Sequence, residues 1–522
     1  MPIITGHAAA QPRDADARAM RVLMLGCYAA AMVMLAWPII HVANPMLADY
    51  PNHLARLFVA ESLPGNAVLT QYYLARHDFY PYLSMDLIVW SLRPFLGLEQ
   101  AGKVFLVVAL LMPLAGTMAL ARALHGRIGL WPLAASLVMF NLLLAWGFTT
   151  YLFALGLALY AFAGWITTER WPWAPRLALF AAVSVVLFCS HPFGFAVYGL
   201  LFGSWEIGRT GTWTLPALRE TVRRLTLAAL QALPPIAIAL SLPAADFGNR
   251  ATLFGTPASR LLGLFSPFLF AVDLGEAVCF VLLLAAFVTA LRTGIVTFDR
   301  RLAWPIGLIG IACLVMPQTL SGVYLVHVRL PVLFVLLLIL ACRPRPQAPR
   351  IAALSVAAIL AMLALRTSLV ADRLVEADRN VAELRAIGAS LEPGARMLPT
   401  TSHEQIGAVP AYHYWHAPAF LTIDRSAYDP LIFSFFSIDV VPSLKASSAP
   451  ATSPVKFEIL LTPEGEPERV KLRPGQLRYW NDWRRVFDYV VDFDGGEPAA
   501  ELPPELSLVR RGSIFSVYRI AR

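Results

Sequence analysis

Long apolar runs separated by short polar segments dominate the first 371 residues of the chain. Nine of them approach or exceed the length needed to cross a membrane, at 22–43, 103–122, 129–146, 148–167, 225–243, 277–293, 303–318, 330–343 and 351–371. A further run, 177–207, is too long for one span and is interrupted at Ser190-His191-Pro192-Phe193-Gly194. Because proline and glycine end helices, this run predicts two short helices that meet at His191. The pattern therefore predicts an α-helical polytopic membrane bundle of about 11 transmembrane helices.

The pattern changes after residue 371. Charged and aliphatic residues alternate at helical spacing over Asp372–Leu391, which predicts a solvated amphipathic helix. Strand-like runs follow at Ala419–Ile423, Phe457–Leu461, Val486–Phe493, Leu506–Val509 and Ile514–Ile520, the last two flanking a glycine-containing turn. Residues 372–522 are therefore predicted to form a soluble, mixed α/β domain. The remaining chain divides into an N-terminal segment, 1–21, and a transmembrane domain, 22–371, with a large outer loop at 44–102.

Composition and charge agree with a membrane protein and indicate its orientation. The chain is 58% hydrophobic and only 15% charged, whereas soluble proteins are about a quarter charged. The net charge of +8 is unevenly divided: residues 1–371 hold 25 Lys and Arg against 14 Asp and Glu, and residues 372–522 hold 17 against 20. Arginines concentrate in loops on the side of the N-terminus, which predicts a cytoplasmic N-terminus and a periplasmic C-terminal domain of a multi-pass inner-membrane protein. The excess of positive charge is therefore explained by the orientation of the chain in the membrane. It does not predict a nucleic-acid partner.

The first outer loop carries the most informative polar residues. The segment Asn44–Arg56 follows the first span at once and contains Asp49 and His53, four residues apart. A helix beginning near Pro51 would place Asp49 at its N-terminal end and continue into Leu57–Leu63, an amphipathic stretch suited to a membrane surface. A carboxylate there can take a proton from an acceptor hydroxyl or amine. A helix-capping Asp49 and an interfacial His53 would explain the same residues.

Further candidate substrate contacts occur in three places. The first outer loop contributes Asp78, Tyr80, Tyr82 and Asp86. His191 lies where the chain breaks at membrane depth, which is tolerated where the backbone lines a cavity or is buried in protein; a turn histidine bonded to backbone is the alternative. In the C-terminal segment, aromatic residues alternate with histidines over 412–416, so that His413, Tyr414 and His416 could stack on sugar rings and bind their hydroxyls. The same residues could instead dock the domain onto the bundle.

No metal site is predicted. The five cysteines lie within apolar runs and form no CxxC pair, and the histidines of the C-terminal segment do not have a zinc spacing. A divalent metal is compatible with a membrane transferase, but no compact group of three carboxylates is visible in the sequence. No cofactor is therefore assigned.

The arrangement resembles the GT-C superfamily of integral membrane glycosyltransferases, and is loosely similar to its protein-mannosyltransferase and aminoarabinose-transferase-like group. The resemblance is carried by Asp49-Tyr50-Pro51-Asn52-His53 in a long outer loop directly after the first span, and by Val323–Pro331 at the start of a later span. The chain lacks the adjacent Asp-Glu pair of the protein-mannosyltransferase branch.

The resemblance implies that a sugar moves, with inversion, from a polyprenyl-phosphate donor to a lipid, glycan or protein acceptor at the outer face of the membrane. Asp49 would be the general base, and His53 would support Asp49 or contact the acceptor. Arg329, with His327, would bind the donor phosphate, because a guanidinium matches phosphate oxygens in a two-pronged contact. Arg250 is a second phosphate candidate. An interfacial Arg329 that reaches lipid headgroups is the alternative.

Two other classes of protein are compatible with this sequence. A lipid-linked-glycan flippase predicts polar residues at the membrane midplane and related halves, neither of which stands out. A non-catalytic scaffold for envelope assembly would keep the same fold and topology. A polar site joining Asp49 to Arg329 would favour the enzyme, and an apolar fill between them would favour the scaffold.

Overall fold

The computed structural model describes residues 14–242, 252–345, 349–406, 409–450, 452–461, 478–497 and 502–521. The helices of this part of the chain are α1 (Asp14–His41), α2 (Tyr50–Ser62), α3 (Leu83–Leu92), α4 (Leu98–His125), α5 (Leu142–Ala145), α6 (Thr149–Thr167), α7 (Trp173–Ser190), α8 (Pro192–Gly208), α9 (Leu215–Ala229), α10 (Leu233–Ser241), α11 (Pro257–Leu264), α12 (Leu274–Arg292), α13 (Ala303–Val315), α14 (Arg329–Ala341), α15 (Pro349–Gly388), α16 (Ala419–Arg425) and α17 (Trp483–Val486).

Most strands lie in the C-terminal third of the chain. They are β1 (Tyr73–Ala75), β2 (Val296–Phe298), β3 (Cys342–Pro344), β4 (Met397–Thr401), β5 (Gln405–Ile406), β6 (Val409–Pro410), β7 (Ile438–Val440), β8 (Val455–Lys456), β9 (Tyr489–Phe493), β10 (Leu506–Arg511) and β11 (Ser516–Ile520). A five-stranded sheet has the order β10-β11-β9-β4-β8, in which β4 runs parallel to both β8 and β9. The predicted β10–β11 hairpin is confirmed.

Seven helices of the described residues are long and apolar enough to cross a membrane. They are α1 from Arg18, α4, α6, α7, the segment Leu215–Ser241, α12 and α15 from Arg350. Shorter apolar helices lie at Leu83–Leu92, Trp131–Ala145 and Arg329–Ala341. The predicted membrane bundle with a C-terminal α/β region is therefore confirmed as the fold class, but the described residues contain seven such helices where about 11 were predicted.

The break predicted inside the run 177–207 is present. Helix α7 ends at Ser190 and α8 begins at Pro192, and His191 between them has an extended backbone with φ −170°. The Phe193 N–H donates to Nδ1 of His191 at 3.0 Å, so the histidine side chain caps α8. Because its Nδ1 is used in this cap, the opposite nitrogen of the ring is the one left for other contacts.

Helix α2 begins where the sequence predicted, but the C-terminal region covers it. Pro51 lies in its first turn, directly after Tyr50. Ala55 and Val59 are fully buried in a hydrophobic core that also contains Leu398 and Phe487 of the C-terminal region. The expectation that this stretch lies on the membrane surface is therefore wrong, because its apolar face packs against protein.

Two predicted strands of the C-terminal region are helical. Residues 419–423 belong to α16, and residues 457–461 form a short 3-10 helix. Both are mainly apolar runs of five residues, and the hydrophobic pattern of so short a run does not distinguish a buried strand from a buried helical turn. The predicted strand at 486–493 is confirmed in its second half as β9.

Helix α15 leaves the membrane part without a break and fixes the start of the first outer loop. It runs over 40 residues and contains most of the predicted helix Asp372–Leu391. The Asp378 carboxylate accepts the N–H groups of Ala43 and Asn44 at 3.1 and 2.7 Å. Arg385, two turns further on, donates to the Asn44 side chain at 2.6 Å. The segment that leads into Asp49 is thereby held at both main chain and side chain.

Candidate active site

Asp49 lies at the N-terminal end of α2, yet its carboxylate does not cap the helix. Main-chain hydrogen bonds hold the residue instead: the Asp49 N–H donates to Trp146 O at 3.1 Å, and the Ala48 N–H donates to Ala145 O at 2.9 Å. The Asp49 side chain keeps 18% of its surface exposed. Its oxygens are therefore available for chemistry, and the helix-cap interpretation does not describe this residue.

The surroundings of Asp49 bring the pKa of its carboxyl group close to neutral pH. Burial raises the pKa of Asp49 to about 7, and the positive charge of Arg329 opposes this rise. A carboxyl group with a pKa near the working pH both accepts and releases protons readily. Such a pKa suits a group that exchanges a proton near neutral pH.

The turn that holds Asp49 needs a glycine at position 147. Gly147 has φ +77°, a conformation that side-chain-bearing residues rarely adopt. A Cβ added there would lie 2.8 Å from the nitrogen of Asp49 and 3.0 Å from that of Tyr50. The close approach of the two main chains therefore depends on the missing side chain.

Gly147→Ala should move the base. We expect the apparent unfolding free energy to fall by about 1–3 kcal/mol, because the methyl group overpacks a tight contact at an unfavourable φ. Transfer activity should fall at least about tenfold, since small misplacements of a reacting group are costly. Thermal unfolding in detergent and initial rates of sugar transfer measure the two effects. Gly65→Ala is the matched control, because a Cβ there meets nothing within 4 Å. Equal behaviour of the two variants would contradict this role of Gly147.

Arg329 is a buried cation without an anionic partner in the described part of the chain. The residue is only 6% exposed, and no carboxylate of a described residue lies within 4.0 Å of its guanidinium. Nη2 donates to Tyr324 O at 3.5 Å, a long contact. The Arg329 main-chain carbonyl accepts the Tyr151 hydroxyl at 2.9 Å, which fixes the start of α14. A buried guanidinium that is not neutralised by protein favours binding of an anionic ligand.

His191 faces the same guanidinium with a second donor. Arg329 Nη1 lies 3.5 Å from His191 Nε2. Because His191 Nδ1 accepts the Phe193 N–H, a neutral His191 carries its proton on Nε2. Two donors therefore face each other, and an acceptor beside them, such as a phosphate oxygen, can take a hydrogen bond from both. A turn histidine bonded to the backbone would explain the hydrogen bond at Nδ1 of His191 but not the position of its Nε2 beside Arg329.

Aromatic rings surround these donors. The rings of Phe148, Tyr151 and Phe193 lie 4.8, 5.7 and 5.5 Å from the Arg329 guanidinium. Tyr82 packs edge-on against His191 with ring centroids 4.8 Å apart. Such walls exclude water and strengthen the attraction between a cation and a phosphate.

His416 brings the C-terminal region into the site. Its Nε2 lies 3.6 Å from Asp49 Oδ1, and its Nδ1 lies 3.0 Å from Asn52 Nδ2. Burial lowers the pKa of His416 to about 3, so the ring is neutral at physiological pH. The structure thus brings together Asp49, His416, His191, Tyr82 and Arg329 from the residues predicted by sequence.

His53 and His327 lie beside this group and face other partners. The His53 ring packs against Phe433 at 4.7 Å, and its pKa is lowered to about 3, mainly by burial. Nε2 of His327 lies 3.2 Å from Ser259 O, so this side chain turns towards α11 and away from Arg329. The predicted phosphate candidate Arg250 lies outside the described residues.

Three predicted loop contacts lie outside the site. Asp78 pairs with Arg76 at 2.8 Å on the surface, with 59% of the Asp78 side chain exposed. Asp86 is fully buried and accepts two hydrogen bonds from Arg56, at 2.5 and 2.9 Å. The Tyr80 hydroxyl donates to the same carboxylate. The geometry gives Asp86 and Tyr80 a structural role in holding α2 against the start of α3.

Asp86→Asn should destabilise the protein. Removing one partner of a buried ion pair leaves the Arg56 charge uncompensated, which costs about 3–5 kcal/mol. We expect a lower midpoint of thermal unfolding in detergent. The transfer activity of the protein that stays folded should not change. Asp78→Asn removes an exposed pair in the same loop and should change the midpoint little. If both variants unfold alike, the buried pair is not a major source of stability.

His413 and Tyr414 hold the C-terminal region on the bundle. The Tyr414 hydroxyl accepts a hydrogen bond from Asn380 of α15 at 2.9 Å. The His413 ring stacks on Tyr412 at 4.6 Å, and Tyr412 stacks on Trp146 at 4.2 Å with an interplanar angle of 11°. For these two residues the geometry favours docking over sugar binding, and it supports the turn that carries Asp49.

Sequence reasoning missed three residues that shape the site: Asn52, Gly147 and Tyr151. Asn52 lies inside the segment 49–53 that was singled out, but its partners come from the far end of the chain. Gly147 interrupts an apolar stretch next to Trp146, which is a usable signal for a close main-chain approach. Tyr151 is one aromatic residue among many and has no distinguishing signal. Among the described residues, no group of three or more His, Cys, Asp or Glu side chains is placed to hold a metal ion.

Comparison with known proteins identifies no family. No protein-family model matches the sequence, and no curated protein sequence matches it. Among the solved structures to which the chain is similar is that of ArnT from Cupriavidus metallidurans in the apo state. The identity is 15%, the match covers 96% of this chain and 98% of that chain, and the TM-score is 0.45. A likeness at this identity and TM-score carries no conclusion about the family or activity of this chain.

Proposed function

We propose that this protein is a membrane glycosyltransferase of the GT-C type that transfers a sugar from a polyprenyl-phosphate carrier to a lipid, glycan or protein acceptor. The single observation that carries the proposal is that a carboxylate that caps no helix, Asp49, lies within electrostatic range of a buried guanidinium, Arg329, with which no described carboxylate forms an ion pair. A scaffold has no need of either feature. The proposed site lies at the periplasmic face of the inner membrane.

The chemistry follows from the two ends of the site. Arg329 and the Nε2–H of His191 bind oxygens of the donor phosphate. Asp49 takes the proton from the acceptor hydroxyl or amine, whose lone pair attacks the anomeric carbon of the sugar. The bond between that carbon and the phosphate oxygen breaks, and its electron pair leaves with polyprenyl phosphate. Arg329 stabilises the charge that develops there, and direct displacement inverts the anomeric configuration.

A transfer assay with the purified full-length protein tests this proposal. Proteoliposomes containing the protein, labelled polyprenyl-phosphate sugars and a bacterial envelope extract should yield label in the acceptor fraction. Binding of unlabelled polyprenyl phosphate, measured by the shift of the thermal unfolding midpoint, adds a readout that needs no acceptor. Folded protein that shows neither transfer nor binding would contradict the proposal and favour the scaffold.

The same vesicles distinguish the flippase. A flippase would move the labelled lipid between leaflets without transferring its sugar. Movement without transfer, in the presence of the envelope extract, would therefore replace the proposed function by the transporter.

A further inference from the structure

We infer that Asn52 locks His416 in the tautomer that points its Nε2–H at Asp49, and that His416 thereby positions and stabilises the carboxylate of the base. The inference rests on the proposed function, because it concerns the same base. It gives a buried residue from the C-terminal region a defined part in proton transfer, as a positioning residue that acts through Asp49.

The orientation of the Asn52 amide is fixed by main-chain groups. The Phe433 N–H donates to Asn52 Oδ1 at 2.7 Å, and Asn52 Nδ2 donates to Leu431 O at 2.8 Å. A flipped amide would oppose a donor to a donor and an acceptor to an acceptor. Asn52 is fully buried, so water cannot repair such a mismatch. Its nitrogen therefore faces His416.

The amide orientation determines the tautomer of the histidine. Asn52 Nδ2 lies 3.0 Å from His416 Nδ1 and still has one hydrogen to donate. His416 Nδ1 must then be an acceptor, and the ring proton lies on Nε2. An imidazolium, protonated on both nitrogens, would oppose the Asn52 donor, and this agrees with the lowered pKa of His416. The neutral Nε2–H form is the one that satisfies both contacts.

The Nε2–H faces Asp49 Oδ1 over 3.6 Å. This is slightly longer than a hydrogen bond, so in the free protein the N–H acts on the carboxylate mainly as an oriented dipole. Arg329 of α14 is the charged group that also acts on Asp49, whereas His53 of α2 is neutral, with a pKa lowered to about 3. An N–H donor stabilises the charged carboxylate and lowers its pKa. Losing the donor should therefore raise the pKa of Asp49.

Two substitutions at position 416 separate the two ring nitrogens. The side-chain nitrogen of glutamine reaches the place of Nε2 and can donate to Asp49, but glutamine loses the contact with Asn52. Asparagine reaches the place of Nδ1 and keeps a contact with Asn52, but it presents nothing to Asp49. If His416 acts on the base, His416→Gln should retain more activity than His416→Asn. If it only ties the C-terminal region to α2, the order should be reversed.

The expected result is specific to pH. Wild-type kcat/KM should rise with pH and level off above about 7, the pKa of Asp49, because the base must be deprotonated. In His416→Asn this rise should move to higher pH, so that activity falls about tenfold at pH 6 and less at pH 8. His416→Gln should stay within about threefold of wild type. An unshifted profile in His416→Asn, or activity in His416→Asn equal to or above that in His416→Gln, would overturn the inference.

Nitrogen-15 NMR of the wild-type protein tests the tautomer without any activity, and remains available if the His416 variants do not fold. In protein labelled with ¹⁵N-histidine, the ring that responds to Asp49→Asn should carry its proton on Nε2. A responding ring protonated on Nδ1 or on both nitrogens, or the absence of any response, would overturn the inference. If wild type shows no transfer but the NMR result holds, the proposed function fails and the tautomer lock stands. If wild type transfers sugar but the tautomer is the other one, only this inference fails.

Discussion

Asp49→Asn should reduce sugar transfer by about 10²–10⁴-fold while leaving the fold unchanged. The amide has the shape of the carboxylate but does not accept the acceptor's proton. Because Asp49 makes no side-chain cap to α2 and is held through its main-chain N–H, the substitution removes chemistry and keeps the hydrogen bond to Trp146. Initial rates of label transfer in proteoliposomes measure the loss. Binding of polyprenyl phosphate should be retained, since the phosphate contacts lie on other residues.

Asp78→Asn is the control for this experiment. It makes the same chemical change in the same outer loop, at an exposed carboxylate that pairs with Arg76. Its rate should match that of the wild type. Persistent transfer by Asp49→Asn would assign the base to another group and remove Asp49 from the mechanism.

Arg329→Lys should cause the second-largest loss, about 10²–10³-fold in kcat/KM for the donor. Lysine keeps the positive charge but loses the planar fork that binds two phosphate oxygens at once. Unlike Asp49→Asn, this variant should also bind polyprenyl phosphate more weakly, because the contact is present in the bound product as well as in the transition state. Donor titrations and the ligand-induced shift in unfolding midpoint measure the two effects separately.

Arg93→Lys is the matched control for Arg329→Lys. Arg93, near the end of the first outer loop, forms an ion pair with Glu61 at 2.9 Å on the protein surface. The substitution there should leave donor binding unchanged. If Arg329→Lys binds polyprenyl phosphate as tightly as wild type, the guanidinium is not the phosphate site, and an interfacial role for this arginine becomes the better explanation.

Sequence patterns correctly predicted the features that depend on residues close together in the chain. Asp49, Pro51 and the first turn of α2 lie within a few residues of each other, so helix-start rules placed them correctly. The break at His191 follows from the proline beside it. The spacing of His327 and Arg329, by contrast, suggested a shared phosphate, but residues two apart at a helix start project in different directions, and His327 faces Ser259.

The rest of the site depends on contacts between distant parts of the chain. Asp86 looked like a free carboxylate because its partner Arg56 lies 30 residues earlier and meets it only after α2 and α3 pack together. The aromatic neighbours of His416 predict a substrate contact, but its proximity to Asp49 depends on how the C-terminal region packs on α2. The short run 419–423 could not be assigned as a helix because its environment, and not its pattern, decides its conformation.

The contacts between the first outer loop and the C-terminal region can form only after a delay during translation. Asn52 and His416 are separated by 364 residues, and strand β1 waits for β7 before it can pair. At a translation rate of about 5–20 residues per second, the ribosome needs about 20–70 s to supply the missing partner. Throughout that interval Ala55 and Val59 of α2 lack the residues of the C-terminal region that bury them. The proposed base site is therefore completed only after His416 has been translated, and until then this part of α2 is open to chaperones.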